Sequence, residues 1–275
     1  MNSVVVPPEY VAARAVLLDA LDALEAHLDS IILVGAQAVY LHTGDTDLSV
    51  APTTTDADVA LAPDRVADAP LLGAVLASAG FVLSSNPGSW IGRGDVAIDI
   101  MVPDALCPAG GTRGARLPVH GNKVARRTLG LEPAIVDNEP REIVAFAPSD
   151  GRRRMLRVAG PAALIVAKAI KIGERRDCPR RLKPKDGLDV LRLLQFVDMK
   201  VISDRLCALL TDPMAGDVTG KALAVLREDG CEPDGLIARL AATALPTENW
   251  DTTTQSVASL IAELVDACAS SSLAD

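Results

Sequence analysis

The sequence predicts an α/β fold of the α+β kind, in which a small mixed sheet is followed by a C-terminal helical bundle. Short β-branched runs and glycine turns occupy the first half, helical spacing of apolar residues dominates the second, and the change falls near residue 155. At 275 residues, the chain suits one elaborated domain or two small ones. We therefore predict an α/β domain at 1–155 and a helical domain at 156–275.

Helices and strands alternate in the first half. Residues 8–27 open with proline and repeat apolar residues every three or four positions, which predicts a helix. The run IILVG at 31–35 predicts a strand that ends in a glycine turn, and a helix follows at AQAVYLHTG. The next expected elements are a strand at 55–61, a helix at 64–79, strands at 81–85 and 96–102, a loop at 103–128 and a strand at 142–146.

The second half is predicted to be helical. Apolar spacing indicates helices at 161–175, 185–197, 203–210, 219–228, 233–244 and 254–269.

Basic residues are concentrated in three segments. Between residues 168 and 185 there are eight lysine or arginine residues and only two acidic ones, Glu174 and Asp177. GRRRMLR at 151–157 and KVARR at 123–127 add further positive charge. These segments either hold an RNA backbone or form ordinary charged loops.

Composition and charge exclude several classes of protein. A net charge of -9 argues against coating nucleic acid through bulk charge, and 3% aromatic residues leave few platforms for base stacking. Five scattered cysteines without a C-x-x-C pair, far from the three histidines, suit neither zinc nor disulfides. No run of 18 apolar residues occurs, and MNSVVVPPEY lacks the features of a signal peptide, so we expect no membrane contact and a cytoplasmic protein.

Three aspartates stand on two of the predicted strands. Asp56 and Asp58 share one face of their strand, and Asp99 is the lone acid in the apolar run VAIDIMV. If the strands are neighbours, the three carboxylates converge and form an oxygen site suited to Mg²⁺. The turn at Gly35 and Ala36 starts a helix whose free N–H groups can hold a triphosphate.

This order of motifs resembles the nucleotidyltransferase superfamily with the polymerase-beta-like fold. LVGAQAVYLHTG would be its strand, glycine turn and helix, TTTDADVAL its Asp-x-Asp strand, and VAIDIMV the strand of its third aspartate. LIVAKAIKIGER and KPKDGLDVLRLL look like the Lys-(x6)-Arg and Lys/Arg-Asp-x-x-Asp helices of the abortive-infection type nucleotidyltransferase toxins. The resemblance covers most of residues 33–194.

The resemblance implies transfer of a nucleoside monophosphate from an NTP, with Mg²⁺ or Mn²⁺ as cofactor and release of pyrophosphate. Asp56, Asp58 and Asp99 would bind the metal, and Asp99 would alternatively activate the attacking hydroxyl. Lys168 would contact the triphosphate, and Asp186 would orient it or the nucleotide. Arg175 and Asp189 also match positions of the family motifs, but the family roles carry over to them less directly. The implied nucleotide-binding residues are Gly35, Ala36, Gln37, Lys168 and Lys171.

Some members of the family add nucleotides to the 3′ acceptor end of tRNA and so stop translation. The resemblance therefore implies an RNA acceptor, most directly tRNA, and a cognate antitoxin protein as partners. This chain departs from the family pattern at Ala36, which replaces Gly or Ser, and in the longer connection between Gly35 and Asp56.

Other interpretations of the same residues stay open. The acceptor hydroxyl could belong to a protein or to an aminoglycoside-like antibiotic, or the fold could be a non-catalytic module that binds a nucleotide or a partner. Taken alone, the Asp-x-Asp pair also suits a solvated strand end, Lys171 an ordinary surface lysine, and Asp186 a first-turn acid that favours its helix dipole.

Overall fold

The computed structural model describes residues 6–44, 53–108 and 113–271. Residues 45–52, in the long connection before Asp56, and residues 109–112, in the predicted loop at 103–128, lie outside it. The described part folds as one mixed sheet with helices packed against it and a set of helices at the C-terminal end. The predicted α+β fold is therefore confirmed.

The strands of the described residues form a single eight-stranded sheet. They are β1 (Ile31–Val34), β2 (Asp56–Leu61), β3 (Val82–Leu83), β4 (Ser89–Ile91), β5 (Ala97–Pro103), β6 (Arg126–Thr128), β7 (Asn138–Val144) and β8 (Arg153–Ala159). Their spatial order is β3-β4-β5-β2-β1-β8-β7, with β6 beside the second half of β5. β1 lies between β2 and β8, and its four residues are all buried, as expected for a central strand.

The helices pack on this sheet and on one another. They are α1 (Pro8–Ala23), α2 (Gly35–Thr43), α3 (Leu72–Ser78), α4 (Glu132–Val136), α5 (Pro161–Gly173), α6 (Pro184–Phe196), α7 (Met199–Thr211), α8 (Gly216–Gly230), α9 (Leu236–Thr243) and α10 (Trp250–Ser271). α2 contacts both α5 and α6, which joins the helical part to the sheet. Within the described residues, no helix is both long and apolar enough to cross a membrane.

Two predicted helices have different bounds. The first ends at Ala23 and is followed by a 3₁₀ helix at Glu25–Ser30, in which the Ser30 hydroxyl donates to the His27 carbonyl at 2.7 Å. The helix predicted at 64–79 is wrong in its first half. Pro70 lacks an N–H and disfavours a helical residue before it, so α3 begins only at Leu72.

A strand of the sheet crosses the predicted domain boundary. Residue 155 falls inside β8, which pairs in parallel with β1 and continues the sheet to Ala159. β8 was not predicted because its buried residues, Leu156, Val158 and Ala159, belong to a segment with four arginines that looks like a basic loop. β4 and β6 are three residues each, too short for a period-two pattern to show in the sequence.

Candidate active site

Asp58 and Asp99 lie side by side on neighbouring strands. β2 and β5 run parallel, and their register pairs Asp58 with Asp99 and Asp56 with Ala97. Residues in register on parallel strands point to the same face, and so do alternate residues of one strand. The structure therefore brings the three predicted acids to one face of the sheet.

The glycine turn meets these acids because β1 and β2 are antiparallel. Val34 is in register with Asp58, so the turn that follows β1 lies next to the start of β2. Gly35 has a φ of +68°, and a β-carbon at this position would overlap the Asp58 carboxylate. Both the backbone conformation and the close approach therefore require glycine here.

Negative charge accumulates at Asp58. Burial, with added repulsion from Asp56 and Asp99, raises the pKa of Asp58 to about 6, whereas Lys171 and Arg126 act in the opposite direction. Burial is the largest of these causes, so a cation bound here would lower the cost of ionising Asp58. Carboxylate oxygens are the donor set that Mg²⁺ and Mn²⁺ favour, so these three residues fit the implied metal.

Two of the three carboxylates already have protein partners. Asp56 Oδ1 accepts a hydrogen bond from the Thr54 hydroxyl at 2.7 Å, and Asp99 Oδ2 forms an ion pair with Arg126 at 2.8 Å. Among the residues that the structure describes, no group of three or more His, Cys, Asp or Glu side chains is arranged as a metal-binding cluster. Metal binding therefore stays a prediction.

A cavity of about 520 Å³ opens between this end of the sheet and α5. Of its lining residues in the described part of the chain, two are acidic, Asp58 and Glu174. Seven are basic: Arg113, Arg126, Arg127, Lys168, Lys171, Arg175 and Arg181. The volume lies in the range of small-molecule sites, and the positive lining favours a polyanion despite the net charge of -9.

Lys168, Lys171 and Arg175 come to this cavity from α5 and the turn that follows it. Their spacing of three and four residues places them on one side of the helix. The Lys171 side chain is 38% exposed, and its ammonium donates to Asp186 Oδ1 at 2.9 Å. Burial and the charge of Lys168 lower the pKa of Lys171. Lys171 is therefore a cation at the cavity wall that has one carboxylate partner.

Lys168 is held more firmly. Its buried ammonium donates to Asp186 Oδ1 at 2.8 Å and to Asp189 Oδ2 at 2.6 Å. Burial disfavours its charge, but the two carboxylates outweigh burial and raise the pKa of Lys168 above its ordinary value. The same pairing lowers the pKa of Asp186 against the effect of its own burial. These ion pairs join α5 to α6 at the cavity wall.

Gln37 and Ala36 do not line the cavity. Ala36 is buried, and the Gln37 side chain, 1% exposed, accepts from Arg14 Nε at 2.8 Å and donates to the Asp56 carbonyl at 3.2 Å. These contacts hold Gln37 between Arg14 and the start of β2, and its predicted contact with the nucleotide stays a prediction.

Two arginines with contacts at the site or at Gln37 were not predicted individually. Arg14 is buried and also donates to the Val144 carbonyl at 2.9 Å, and a lone arginine in the apolar run AARAVLL was its only sign in the sequence. Arg126 stands in the basic segment KVARR, but its ion pair with Asp99 depends on β6 joining β5. A three-residue strand gives no sequence pattern from which that pairing could be read.

Comparison with known proteins identifies no relative. No protein-family model, curated protein or solved structure matches this chain significantly. The described residues themselves provide an acidic sheet face, a glycine turn and a basic cavity.

Proposed function

We propose that this protein is a divalent-metal-dependent nucleotidyltransferase that transfers a nucleoside monophosphate from an NTP to an RNA hydroxyl. The observation that supports the proposal best is the register of Asp58 with Asp99, together with a cavity that is lined by Asp58, Gly35 and several basic side chains. Asp56, Asp58 and Asp99 would hold Mg²⁺ or Mn²⁺. When bound, such an ion neutralises charge that develops on the reacting phosphate.

The basic residues of the cavity would bind the triphosphate. Lys171 and Arg175 face the cavity from α5 and its C-terminal end, opposite Asp58 on β2. Transfer of this kind depends mainly on positioning and on neutralising the phosphates, which fixed lysine and arginine side chains supply. Lys168 and Asp186 keep α5 and α6 in place, so their contribution is to hold Lys171 in position.

The reaction forms one bond and breaks one. The acceptor hydroxyl oxygen attacks the α-phosphorus, the bond between the α-phosphorus and the bridging oxygen breaks, and pyrophosphate leaves with the bonding electrons. With Asp99 bound to the metal, the hydroxyl proton would pass to solvent; in the alternative role that the resemblance gives Asp99, its carboxylate would accept this proton. The products are a phosphodiester on the acceptor and free pyrophosphate.

RNA is the acceptor that the charge distribution favours. Arg113, Arg127 and Arg181 extend the positive lining beyond the residues proposed for the triphosphate. Such a stripe suits a phosphate backbone, even though the whole chain is acidic. The choice of the tRNA 3′ end, the resulting block of translation in the cytoplasm, and restraint by a cognate antitoxin rest on the family resemblance.

The acceptor can be identified by following a label. The purified chain is incubated with Mg²⁺ and each NTP labelled at its α-phosphate, in separate reactions with tRNA, cell protein and an aminoglycoside. We expect the label at the 3′ end of tRNA, and its loss in Asp99→Asn but not in a control, Asp234→Asn, at an exposed turn. Label on protein or antibiotic would change the acceptor, and no label anywhere would favour a non-catalytic module.

A further inference from the structure

Arg126 occupies a position beside Asp99 that a bound cation would also need. Its Nη2 lies 2.8 Å from Asp99 Oδ2 and 3.2 Å from the Met101 sulfur. The arginine comes from β6, where Arg126 is in register with Met101, two residues beyond Asp99 on β5. Its guanidinium therefore contributes the positive charge nearest to a carboxylate that the proposed function assigns to the metal.

The Arg126 guanidinium has a hydrogen-bond donor without a partner in the part of the chain that the structure describes. The side chain is 25% exposed and lines the cavity, and its partner Asp99 is 21% exposed. Within the described residues, the buried Arg126 Nε has no hydrogen-bond acceptor. A guanidinium group binds phosphate oxygens through two parallel N–H donors, so a phosphate in the cavity would give this group partners that it lacks here.

We propose that Arg126 is an internal counter-ion that competes with the divalent cation for Asp99 and moves to the triphosphate when metal and nucleotide enter together. This inference rests on the proposed function, because it assigns Arg126 a role toward the same metal and the same substrate. It makes the two ligands cooperative: the nucleotide offers Arg126 a new partner, and the departure of Arg126 frees Asp99 for the metal. By linkage, each ligand then strengthens binding of the other.

A fixed clamp is the structural alternative to a mobile counter-ion. If Arg126 only held Asp99 in place, its removal would leave Asp99 less ordered, and the metal would bind equally well or more weakly. If Arg126 competes with the metal, its removal leaves the Asp99 carboxylate without an ion pair that metal binding has to break, and the metal binds more tightly. The two roles therefore predict opposite changes in metal affinity.

The test is Mn²⁺ binding to the full chain, measured by calorimetry and by loss of the free Mn²⁺ electron paramagnetic resonance signal. Without nucleotide, we expect Arg126→Gln to bind Mn²⁺ roughly three- to tenfold more tightly than the wild type. Arg126→Lys keeps the charge and should stay near the wild type. Arg153→Gln, at an arginine whose side chain is 64% exposed, is the control for loss of one positive charge. Melting curves identify any variant that fails to fold.

Nucleotide dependence supplies the second readout. A non-hydrolysable NTP analogue should tighten Mn²⁺ binding to the wild type and have a clearly smaller effect on Arg126→Gln. Asp99→Asn should abolish Mn²⁺ binding, which shows that the metal uses Asp99. Unchanged or weaker Mn²⁺ binding by folded Arg126→Gln would then overturn the inference about Arg126 and leave the proposed function intact. Absence of Mn²⁺ binding by the wild type and by Arg126→Gln would overturn both this inference and the proposed metal site.

Discussion

Replacement of Asp58 by asparagine should stabilise the metal-free protein, although it removes a carboxylate proposed for the active site. Asparagine has nearly the same shape as aspartate but carries no charge. The pKa of Asp58 lies at about 6 instead of 3.8, because of burial and the repulsion from Asp56 and Asp99. A difference of this size corresponds to about 3 kcal/mol of destabilisation when the group is fully ionised.

The sign of the pH dependence follows from proton binding. The folded protein binds a proton at Asp58 more tightly than the unfolded chain does, so the contribution of Asp58 to stability falls as pH rises through the interval from 3.8 to about 6. Above that interval the loss is constant. The advantage of Asp58→Asn should therefore be about 3 kcal/mol near pH ~8 and about half of that near pH ~5.

Urea unfolding in the presence of a chelator measures this advantage. Wild type, Asp58→Asn and the exposed control Asp234→Asn are compared at the two pH values, and the control should follow the wild type. Added Mg²⁺ should raise the unfolding midpoint of the wild type and leave that of Asp58→Asn unchanged, because only the wild type keeps the full set of ligands. A variant that is no more stable than the wild type at the higher pH would refute the account of charge at Asp58.

Three further substitutions separate structural support from substrate contact. Lys168→Met takes the ammonium partner from two buried carboxylates, although Asp186 keeps Lys171, and should lower the free energy of unfolding by about 3–5 kcal/mol in urea titrations. Lys171→Met should cost less than about 1 kcal/mol yet weaken binding of a labelled NTP roughly tenfold; equal losses of stability in the two variants would contradict this division. Gly35→Ala should displace Asp58 and weaken Mn²⁺ binding, whereas Gly80→Ala, also at positive φ but with open space around it, should leave binding intact.

The sequence predicts the parts of the site that depend on local pattern. Asp56 and Asp58 alternate along one strand, and Asp99 interrupts an apolar run, so a shared face requires only that the two strands be neighbours. The turn at Gly35 is equally local. These features appear in the structure where the alternation and the turn place them.

Contacts between distant segments lie beyond such patterns. The sequence suggested a nucleotide contact for Gln37. It could not show that Gln37 is buried against Arg14, 23 residues earlier, because that contact depends on how α1 packs. Lys168 is similar: spacing along α5 places it on the cavity side, but the ion pairs that hold its ammonium come from α6. The pairing of Arg126 with Asp99 needs β6, which is too short to recognise in the sequence.

The position of the transferred phosphorus tests the central claim most directly. The protein is given Mg²⁺, its RNA acceptor and one NTP labelled either at the α- or at the γ-phosphate, and labelled RNA and released pyrophosphate are measured together. The account predicts label on RNA only from the α-phosphate, one pyrophosphate per transfer, and neither product with Asp58→Asn. Transfer of the γ-phosphate, or transfer that survives in Asp58→Asn, would contradict it.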